Sequence, residues 1–390
     1  MTLRRTLRHL GTAGLWLVIL ACLAATIVPR YLDRIYYRGP ADAHFDGARF
    51  FNPTGPDTAK PPTGGSRAGF FARMLRPDDR PTWPARVAVT KDVPPPRVTG
   101  GAMRATWIGH ASVLVQADGL NILTDPVVSD VAGPFGLVGP RRVTAPGIDF
   151  DALPPIDLVL VSHNHYDHLD LATLKRLWRR DRPLVVTSLG NGAILRSAGI
   201  EARELDWNQR TAARNGASVI VTRNHHWSSR WFSDRDRALW SSFVVQLPGG
   251  NLFFAGDTGA GDYQWADEAA AHGPIRLALL PIGAFRFQEG QMDTASHIGP
   301  ANALKIWRRL GRPVTLPIHW GTFRLTWEGR ETPPAMLRAL QACARERSGR
   351  FVPRAVGAGF AVPPVSAGPA QIPDARIDAC LRMPAARALR

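Results

Sequence analysis

The pattern of apolar and polar positions predicts alternating strands and helices from about residue 101 onward. The almost wholly apolar residues 157–162 are typical of a strand that is covered on both faces. Residues 169–180 have apolar side chains at helical spacing. Similar runs predict further strands at residues 105–108, 112–116, 121–124, 184–187, 218–222, 242–246, 252–255, 277–282 and 315–318, and helices at residues 300–310 and 333–344. This alternation predicts a layered α/β fold.

The N-terminal segment, residues 1–38, has a different pattern. A basic flank with Arg4, Arg5 and Arg8 precedes the uncharged apolar residues 10–28. This stretch is just long enough to cross a hydrocarbon core, so we predict an uncleaved signal-anchor helix, with a cleaved signal peptide as the alternative. The basic flank slightly outweighs the charges after the helix. This favours anchoring in a bacterial inner membrane with the rest of the chain in the periplasm.

Three further segments follow the predicted membrane helix. Residues 39–100 are rich in Pro and Gly and show no sustained period, which predicts an irregular arm. Its scattered aromatic residues favour an arm that packs on the main domain or reaches towards lipid; they are Phe50, Phe51, Phe70, Phe71 and Trp83. The α/β domain is predicted at residues 101–365. Residues 366–390 are rich in Pro and Ala and predict a C-terminal tail.

The charge and cysteine content leave two questions open. Lys and Arg number 48 against 32 Asp and Glu, which gives a net charge of +16. Such a charge attracts phosphate-bearing partners such as anionic lipids, but nearly all the basic residues are Arg, so the codon bias of a GC-rich genome also explains it. The three cysteines are too few for a disulfide framework or a thiolate metal site. Whether Cys343 and Cys380 pair stays open, as does the oligomeric state.

The most informative motif lies directly behind the apolar strand at residues 157–162. Residues 163–168 read H-x-H-x-D-H. Imidazole and carboxylate groups are ligands that Zn²⁺ accepts, and one loop that carries four of them can serve two adjacent ions. The motif therefore predicts a two-metal hydrolase. A polar surface loop that happens to be rich in His is the alternative.

Later strand ends supply the further ligands that a closed metal site needs. Three predicted strands are followed by His or Asp: His225 with His226, then Asp257, then His319. Loops just past the strands of an α/β fold suit this role because a rigid sheet fixes their backbone. A single His after a strand is more often structural, and Asp257 could belong to a simple turn. It is their joint occurrence that predicts a dinuclear site.

The chain resembles the metallo-β-lactamase-fold hydrolases. Within that superfamily it is similar to the N-acylphosphatidylethanolamine-hydrolysing phospholipase D group and its bacterial relatives. The resemblance covers roughly residues 106–323 and is most specific in Ser-His-Asn-His-Tyr-Asp-His-Leu-Asp, residues 162–170, and Ile-His-Trp-Gly-Thr-Phe, residues 318–323. It implies a four-layer αββα metallo-β-lactamase sandwich. Here the N-terminal membrane helix and the irregular arm would precede that sandwich.

The resemblance also divides seven ligands between two Zn²⁺ ions. One ion would be held by three imidazoles, those of His163, His165 and His226. The other ion would be held by Asp167, His168 and His319. Asp257 would bridge the two ions, orient a shared hydroxide and accept its proton. His226 is preferred to His225 because the family places the ligand directly before a Trp, here Trp227.

Three other residues have expected roles near these ligands. His297 occupies the place of a further catalytic His that could touch a substrate phosphate or protonate a leaving group; capping the helix that starts near Pro300 is its alternative role. Asp125 is expected to support a ligand His from behind, because metal-bound imidazoles usually donate their other N–H to a carboxylate or carbonyl. His110 is expected to be structural.

The predicted function is that of a zinc-dependent hydrolase whose nucleophile is a metal-bridging hydroxide. The expected substrate is N-acylphosphatidylethanolamine or a similar phospholipid, cleaved by a phospholipase D-type phosphodiesterase reaction at the membrane. A lactonase or other small-substrate hydrolase is the alternative, since metal ligands alone do not name a substrate. Two further alternatives are a non-catalytic envelope or regulatory protein and a di-iron redox enzyme, which usually has a carboxylate where His165 stands. The chain lacks a basic stripe with interleaved aromatics, so no nucleic-acid partner is expected.

Overall fold

Two β-sheets, packed face to face, form the centre of the molecule. The computed structural model describes residues 2–55, 80–231, 233–287, 291, 294–367 and 372–389. Helices cover the outer face of each sheet, which gives the four layers of an αββα sandwich. The fold class predicted from the sequence is therefore confirmed.

The first sheet is mixed, and most of its strands point the same way. Its strands are β1 (Met103–Gly109), β2 (Ser112–Ala117), β3 (Leu120–Thr124), β4 (Leu158–Val161), β5 (Leu184–Ser188), β6 (Arg203–Leu205) and β13 (Gly359–Ala361). They lie in the order β13-β1-β2-β3-β4-β5-β6. β2 is antiparallel to β1 and β3, whereas β3 to β6 are mutually parallel. The carboxyl ends of β1 and of β3 to β6 therefore meet at one edge.

In the second sheet the carboxyl ends of four strands also meet at one edge. Its strands are β7 (Arg210–Ala212), β8 (Ser218–Thr222), β9 (Ser242–Gln246), β10 (Asn251–Phe254), β11 (Ile275–Pro281) and β12 (Val314–Ile318). They lie in the order β12-β11-β10-β9-β8-β7. β10, β11 and β12 are parallel, and β9 is antiparallel to both β8 and β10. β8, β10, β11 and β12 consequently share one direction.

The described residues form eight α-helices, and all but the N-terminal one pack apolar side chains against the sheets or against neighbouring helices. They are α1 (Thr2–Leu32), α2 (Leu171–Asp181), α3 (Asn191–Ser197), α4 (Gln264–Ala270), α5 (Pro300–Arg309), α6 (Thr332–Ala344), α7 (Asp374–Leu381) and α8 (Pro384–Arg387). β4 shows how the layers meet. Leu158 and Leu160 face the core between the sheets, whereas Val159 and Val161 pack with Leu177 of α2. The strand is thus buried on both faces, as its apolar run predicted.

The predicted elements of the α/β domain agree closely with the structure. Every strand and helix predicted from the apolar pattern is present, with ends that differ by at most two residues. The structure adds the three-residue strands β6, β7 and β13 and the seven-residue helices α3 and α4. These elements are too short to produce a period that a sequence pattern can reveal.

α1 is the helix that the sequence predicted at the N-terminus. Residues Arg5–Leu32 are long and apolar enough to cross a membrane, and their most apolar part is not buried against the rest of the protein. An N-terminal signal sequence can meet the same criteria of length and apolar composition. By these criteria α1 could be a membrane anchor or a signal sequence.

The described parts of the arm, residues 39–55 and 80–100, contain isolated bridges and no helix or strand. Phe50 is buried in the core between the sheets, whereas Phe51 is exposed. Trp83 donates a hydrogen bond from its Nε1 to the carbonyl oxygen of Glu328, at 3.1 Å. The arm therefore packs on the domain at two of the predicted aromatic positions. Phe70 and Phe71 lie outside the described residues.

The C-terminal residues, expected to form a tail, instead contribute two helices to the domain. Ile377 and Cys380 of α7 are buried in the cluster that covers the second sheet, and so is Ala386 of α8. Cys380 forms a disulfide with Cys343 of α6. The pairing that the sequence left open is therefore present, and it fixes α7 to α6. Cys22 of α1 is free and exposed.

We expect the disulfide to stabilise the domain measurably. The bond closes a loop with a sequence separation of 37 residues. A loop of that length corresponds to about 4 kcal/mol of lost unfolded-chain entropy in the simplest treatment. The double variant Cys343→Ser with Cys380→Ser should therefore lower the melting temperature by several degrees, measured by differential scanning calorimetry. Cys22→Ser is the matched control, and an unchanged melting temperature in the double variant would contradict this prediction.

Candidate metal centre

The candidate ligands lie where the strand ends of the two sheets meet. Residues 163–168 follow β4, and His226, Asp257 and His319 follow β8, β10 and β12. Backbone hydrogen bonds join the sheets beside them, from Ser241 to Ser162 at 3.1 Å and from His319 to His110 at 3.0 Å. Every one of these candidate side chains is buried or nearly so. The fold therefore gathers all seven predicted ligands in one place.

The loop after β4 is held in shape by its own backbone and by the start of α2. The amides of His168 and Leu169 both donate to the carbonyl oxygen of His165, at 3.1 and 2.9 Å. Asp170 then caps α2, because its carboxylate accepts from the amides of Ala172 and Thr173 at 3.0 and 3.3 Å. Asp170 thus has a structural role in fixing the end of the loop.

Three imidazoles converge in what we term the first ligand group: His163, His165 and His226. His163 Nε2 lies 2.8 Å from His165 Nδ1, and His226 Nε2 lies 3.4 Å from the same atom. The Trp227 ring packs against His165, with 4.2 Å between ring centroids. The group matches the set that the resemblance assigned to one ion.

The second ligand group contains Asp167, His168 and His319. The Nε2 atoms of His168 and His319 are 3.2 Å apart. Asp167 Oδ2 lies 3.7 Å from His168 Nε2 and 3.6 Å from His319 Nε2. One carboxylate oxygen and two ring nitrogens therefore face a common point, as the resemblance implied for the other ion.

Asp257 lies between the two ligand groups. Its Oδ2 atom is 3.1 Å from the Nε2 atoms of both His168 and His319 in the second group. It is 3.9 Å from His226 Nε2 in the first group. Asp257 Oδ1 is buried and has no hydrogen-bond partner among the described residues. The carboxylate is placed to serve both groups at once.

Hydrogen bonds to the Nδ1 atoms of two imidazoles orient their Nε2 lone pairs towards the middle of the site. His168 Nδ1 lies 2.6 Å from Asp125 Oδ2, and His226 Nδ1 lies 2.8 Å from the Ser296 carbonyl oxygen. Because these acceptors require a proton on Nδ1, the Nε2 atom of each ring presents its lone pair. Asp125 also accepts from the Ser162 hydroxyl at 2.5 Å. Asp125 stands where its predicted supporting role requires it.

The charges of the site differ between the two groups. Burial alone would lower the pKa of His168 and His319, but the Asp257 and Asp167 carboxylates outweigh it. The pKa of His168 is raised well above its ordinary value, and that of His319 is raised to about 9. In the first group burial lowers the pKa of each histidine, and that of His165 falls to about 3. The first group can therefore bind a cation without losing a proton, whereas in the second group His168 and His319 must each release a proton before they bind one.

The donor set suits a divalent transition metal. It offers five imidazoles and two carboxylates, and one of the carboxylate oxygens is buried without a partner among the described residues. Zn–N bonds of about 2.0–2.1 Å in tetrahedral geometry hold two ligand atoms roughly 3.3 Å apart. The nitrogen–nitrogen distances of 2.8, 3.2 and 3.4 Å within the two groups bracket that separation. The residues present therefore fit the metal that the resemblance implies.

Three other histidines surround the ligand groups. His297 is buried with its Nδ1 3.7 Å from Asp257 Oδ2, and α5 is capped by Gly299 instead. His297 therefore faces the site and does not cap the helix. His225 points away from the ligand groups, and its Nδ1 lies 3.4 Å from the Thr54 hydroxyl.

His110, expected to be structural, lies against the second ligand group. Its Nε2 is 3.0 Å from Asp167 Oδ2, and its ring centroid is 4.0 Å from that of His319. Its position follows from topology, because β1 runs parallel to β3 and ends at the same edge of the sheet. His110 follows the carboxyl end of β1 as His226, Asp257 and His319 follow those of β8, β10 and β12. The same reasoning from strand ends would therefore have predicted from the sequence that His110 lies at the site.

Comparison with known families agrees with this fold and site. Residues 120–320, just over half of the chain, match the family described as the beta-lactamase superfamily domain. The chain belongs to this superfamily. The match begins at the first residue of β3 and ends just past His319, so it contains all seven predicted ligands.

Curated relatives of this superfamily member share about a third of its residues over the matched region. An uncharacterized protein of Mycobacterium tuberculosis is 38% identical over 57% of this chain and 60% of its own length. The N-acyl-phosphatidylethanolamine-hydrolyzing phospholipase D 1 of Caenorhabditis elegans is 33% identical over 56% of this chain and 64% of its own length. The mitochondrial N-acyl-phosphatidylethanolamine-hydrolyzing phospholipase D of Saccharomyces cerevisiae is 34% identical over 60% of this chain and 51% of its own length. The chain thus spans between half and two thirds of these relatives.

Solved structures support the fold alone. A possible metal-dependent hydrolase from Veillonella parvula superposes with a TM-score of 0.54 at 15% identity, covering 66% of this chain and 99% of that one. An isothiocyanate hydrolase from Delia radicum gut bacteria superposes with a TM-score of 0.52 at 19% identity, covering 67% and 99%. Both structures share the overall architecture of the present protein.

Adjacent histidines offer a matched test of the first ligand group. His226→Ala removes a nitrogen that points at the group, so metal content should fall. His225→Ala removes a ring that points away, so metal content should stay at the wild-type value. Inductively coupled plasma mass spectrometry of both variants gives the comparison, with circular dichroism to confirm that each is folded. Equal metal content in the two variants would contradict the assignment of His226.

The role of Asp125 can be separated from that of the ligands. Asp125→Asn keeps the shape of the side chain but weakens the acceptor for His168 Nδ1, so affinity for metal should fall about 10- to 100-fold. Competition with a chromogenic chelator measures this affinity. Asp151→Asn alters an exposed carboxylate whose partner is Arg176, and it should leave affinity unchanged. Wild-type affinity in Asp125→Asn would show that the carboxylate has no supporting role.

Proposed function

We propose that this protein is a metal-dependent hydrolase that cleaves a phosphodiester bond in a membrane phospholipid. The reaction is of the phospholipase D type, and N-acylphosphatidylethanolamine is the substrate class that we expect. The observation that carries the metal-dependent hydrolase part of this proposal is the pair of ligand groups on either side of Asp257 Oδ2, whereas the choice of a phospholipid rests on the observations given below. We further propose that each group holds one Zn²⁺ ion, with Asp257 between them.

Two metal ions held by these residues would lower the pKa of a water molecule and would neutralise the charge that develops on the phosphodiester oxygens. Asp257 is buried, and neighbouring His168 and His319 lower the pKa of its carboxyl well below the ordinary value despite that burial. The carboxylate is therefore ionised at neutral pH and can orient the attacking water and accept its proton. The chemistry requires no serine or cysteine nucleophile.

His297 is placed to act on the substrate side of the site. Burial lowers its pKa to about 4, so the imidazole is neutral at pH 7. Its Nδ1 is buried without a partner among the described residues, 3.7 Å from Asp257 Oδ2. A neutral imidazole in this position can donate its N–H to a phosphate oxygen or to the leaving oxygen of the ester. The ring of partly exposed Phe287 lies beside it, at 5.7 Å between centroids.

Several observations support a lipid as the substrate. The relatives from Caenorhabditis elegans and Saccharomyces cerevisiae are named for hydrolysis of a phospholipid. α1 can cross a membrane, and the net charge of +16 would attract anionic head groups. We propose that α1 anchors the protein in the bacterial inner membrane with the catalytic domain in the periplasm. The Cys343–Cys380 disulfide supports a periplasmic location of the catalytic domain, because disulfides persist in oxidising compartments.

Substrate choice can be tested directly with the full-length protein in detergent. Zinc-loaded protein is incubated with N-acylphosphatidylethanolamine, with bis(p-nitrophenyl) phosphate and with a simple lactone, and products are followed by mass spectrometry. We expect the lipid to yield N-acylethanolamine and phosphatidic acid: water adds to phosphorus and gives a proton to Asp257, the bond from phosphorus to the ethanolamine oxygen breaks, and that oxygen takes up a proton. Turnover of the lactone alone would replace the phosphodiesterase proposal with the lactonase alternative. Loss of all activity after metal removal, and its return with zinc, is also expected.

His297 offers a test of the mechanism that does not depend on metal binding. Because the side chain faces Asp257 from outside both ligand groups, His297→Ala should retain the wild-type metal content. We expect kcat for the phosphodiester to fall about 10²- to 10⁴-fold, the usual range for loss of a general acid or base. Unchanged kcat with intact metal content would remove His297 from the mechanism.

A further inference from the structure

A short hairpin after β3 carries exposed apolar side chains at its tip. We call residues 130–142 the finger and residues 135–138 its tip. Phe135, Leu137 and Val138 are 83, 76 and 71% exposed. Val93, at 82%, is the one other large apolar side chain among the described residues that is more than 70% exposed. Three such side chains within four residues form a patch, which single exposed residues do not.

We call residues 131–133 and 139–141 the neck of the finger. The two segments of the neck lie against each other and hold the tip away from the core. The amide of Ala132 donates to the Pro140 carbonyl oxygen at 3.0 Å, and Val131 and Arg141 form an antiparallel bridge. A Cβ atom added to Gly139 would lie 2.2 Å from the Ala132 carbonyl oxygen. The two backbone segments of the neck are therefore in direct contact. The exposure of the tip follows from this closed neck.

The finger stands beside the point where the chain leaves α1. The Phe135 ring lies 5.8 Å from the ring of Trp231, and the Arg34 guanidinium lies 5.0 Å from the same ring. The residues just after α1 are fixed to the domain, because Asp33 pairs with Arg237 at 2.7 Å. The Tyr36 hydroxyl also donates to Asp234 at 2.7 Å. A bilayer that contains α1 would therefore lie close to the tip.

A cavity connects this region to the metal loop. It has a volume of about 830 Å³, and its walls include Arg34, Phe135, Tyr166, Lys175 and Trp231. Tyr166 belongs to the loop that carries the candidate ligands, whereas Arg34 and Lys175 bring positive charge to the wall. Apolar and aromatic side chains beside basic ones are typical of protein surfaces that meet the head-group region of a membrane.

We propose that the tip of the finger inserts into the surface of the bilayer that holds α1. The tip would form a second point of membrane contact, and two points fix the orientation of the domain where one helix alone would leave it free to rotate. The edge of the sandwich that carries the metal centre would then face the lipid. This inference depends on the proposed membrane location of α1, and it does not depend on which substrate the metal centre cleaves.

Site-specific labelling of the full-length protein tests the contact. The protein is reconstituted in vesicles of phosphatidylethanolamine and phosphatidylglycerol, with or without lipids brominated along the acyl chain. A fluorophore is attached at Phe135→Cys in a Cys22→Ser background, and quenching by bromine is measured. The control is Val365→Cys in that background, because Val365 lines a surface beside the amino ends of β11 and β12, away from the metal centre. A label on native Cys22 reports whether α1 itself lies in the bilayer.

We expect strong quenching of the labels at Cys22 and Phe135→Cys and none at Val365→Cys. Quenching at Cys22 without quenching at Phe135→Cys would overturn the second contact while leaving the anchor in place. Absence of quenching at Cys22 as well would overturn both. A second test rests on the proposed phosphodiesterase activity. A variant with Phe135, Leu137 and Val138 all changed to Ser should cleave N-acylphosphatidylethanolamine added to the vesicles several-fold more slowly but cleave soluble bis(p-nitrophenyl) phosphate at the wild-type rate. Equal losses on the two substrates would indicate damage to the metal centre and contradict the proposal.

Discussion

The buried carboxylate of Asp257 sets the main constraint on this structure. An ionised carboxylate is costly to bury unless cations or donors surround it. Here its Oδ2 atom lies within 3.1 Å of two imidazole nitrogens and 3.9 Å of a third. Those imidazoles come from three different strand ends, those of β4, β8 and β12. The charge can therefore be buried only when both sheets are in register, which links the stability of the sandwich to its chemistry.

The seven predicted ligands were accessible from the sequence because each follows an apolar run that is strong enough to predict a strand. The strand ends pointed to His225 or His226, to Asp257 and to His319 as further ligands, and the family resemblance selected His226. The position of His110 beside the ligand groups was not predicted in this way. His110 follows the carboxyl end of β1 as the predicted ligands follow theirs, but it was expected to be structural. Its contact with Asp167 depends on the pairing of β1 with β2.

Other features depend on contacts between distant parts of the chain. β13 is three residues long and pairs with β1 through Ala361 and Arg104, which are far apart in sequence. The C-terminal helices lie in a Pro- and Ala-rich segment whose composition suits a tail. They are held by burial of Ile377 and by the disulfide to Cys343, neither of which has a local signature. Spacing could not decide that the two cysteines pair, because the distance between them depends on how α6 and α7 pack.

The central claim is that two metal ions lie on either side of Asp257, one in each ligand group. X-ray diffraction from crystals of the zinc-loaded protein, recorded above and below the zinc absorption edge, locates such ions without reference to activity. The account predicts two anomalous peaks per chain, one beside His163, His165 and His226 and one beside Asp167, His168 and His319. A single peak, or peaks elsewhere in the chain, would contradict it.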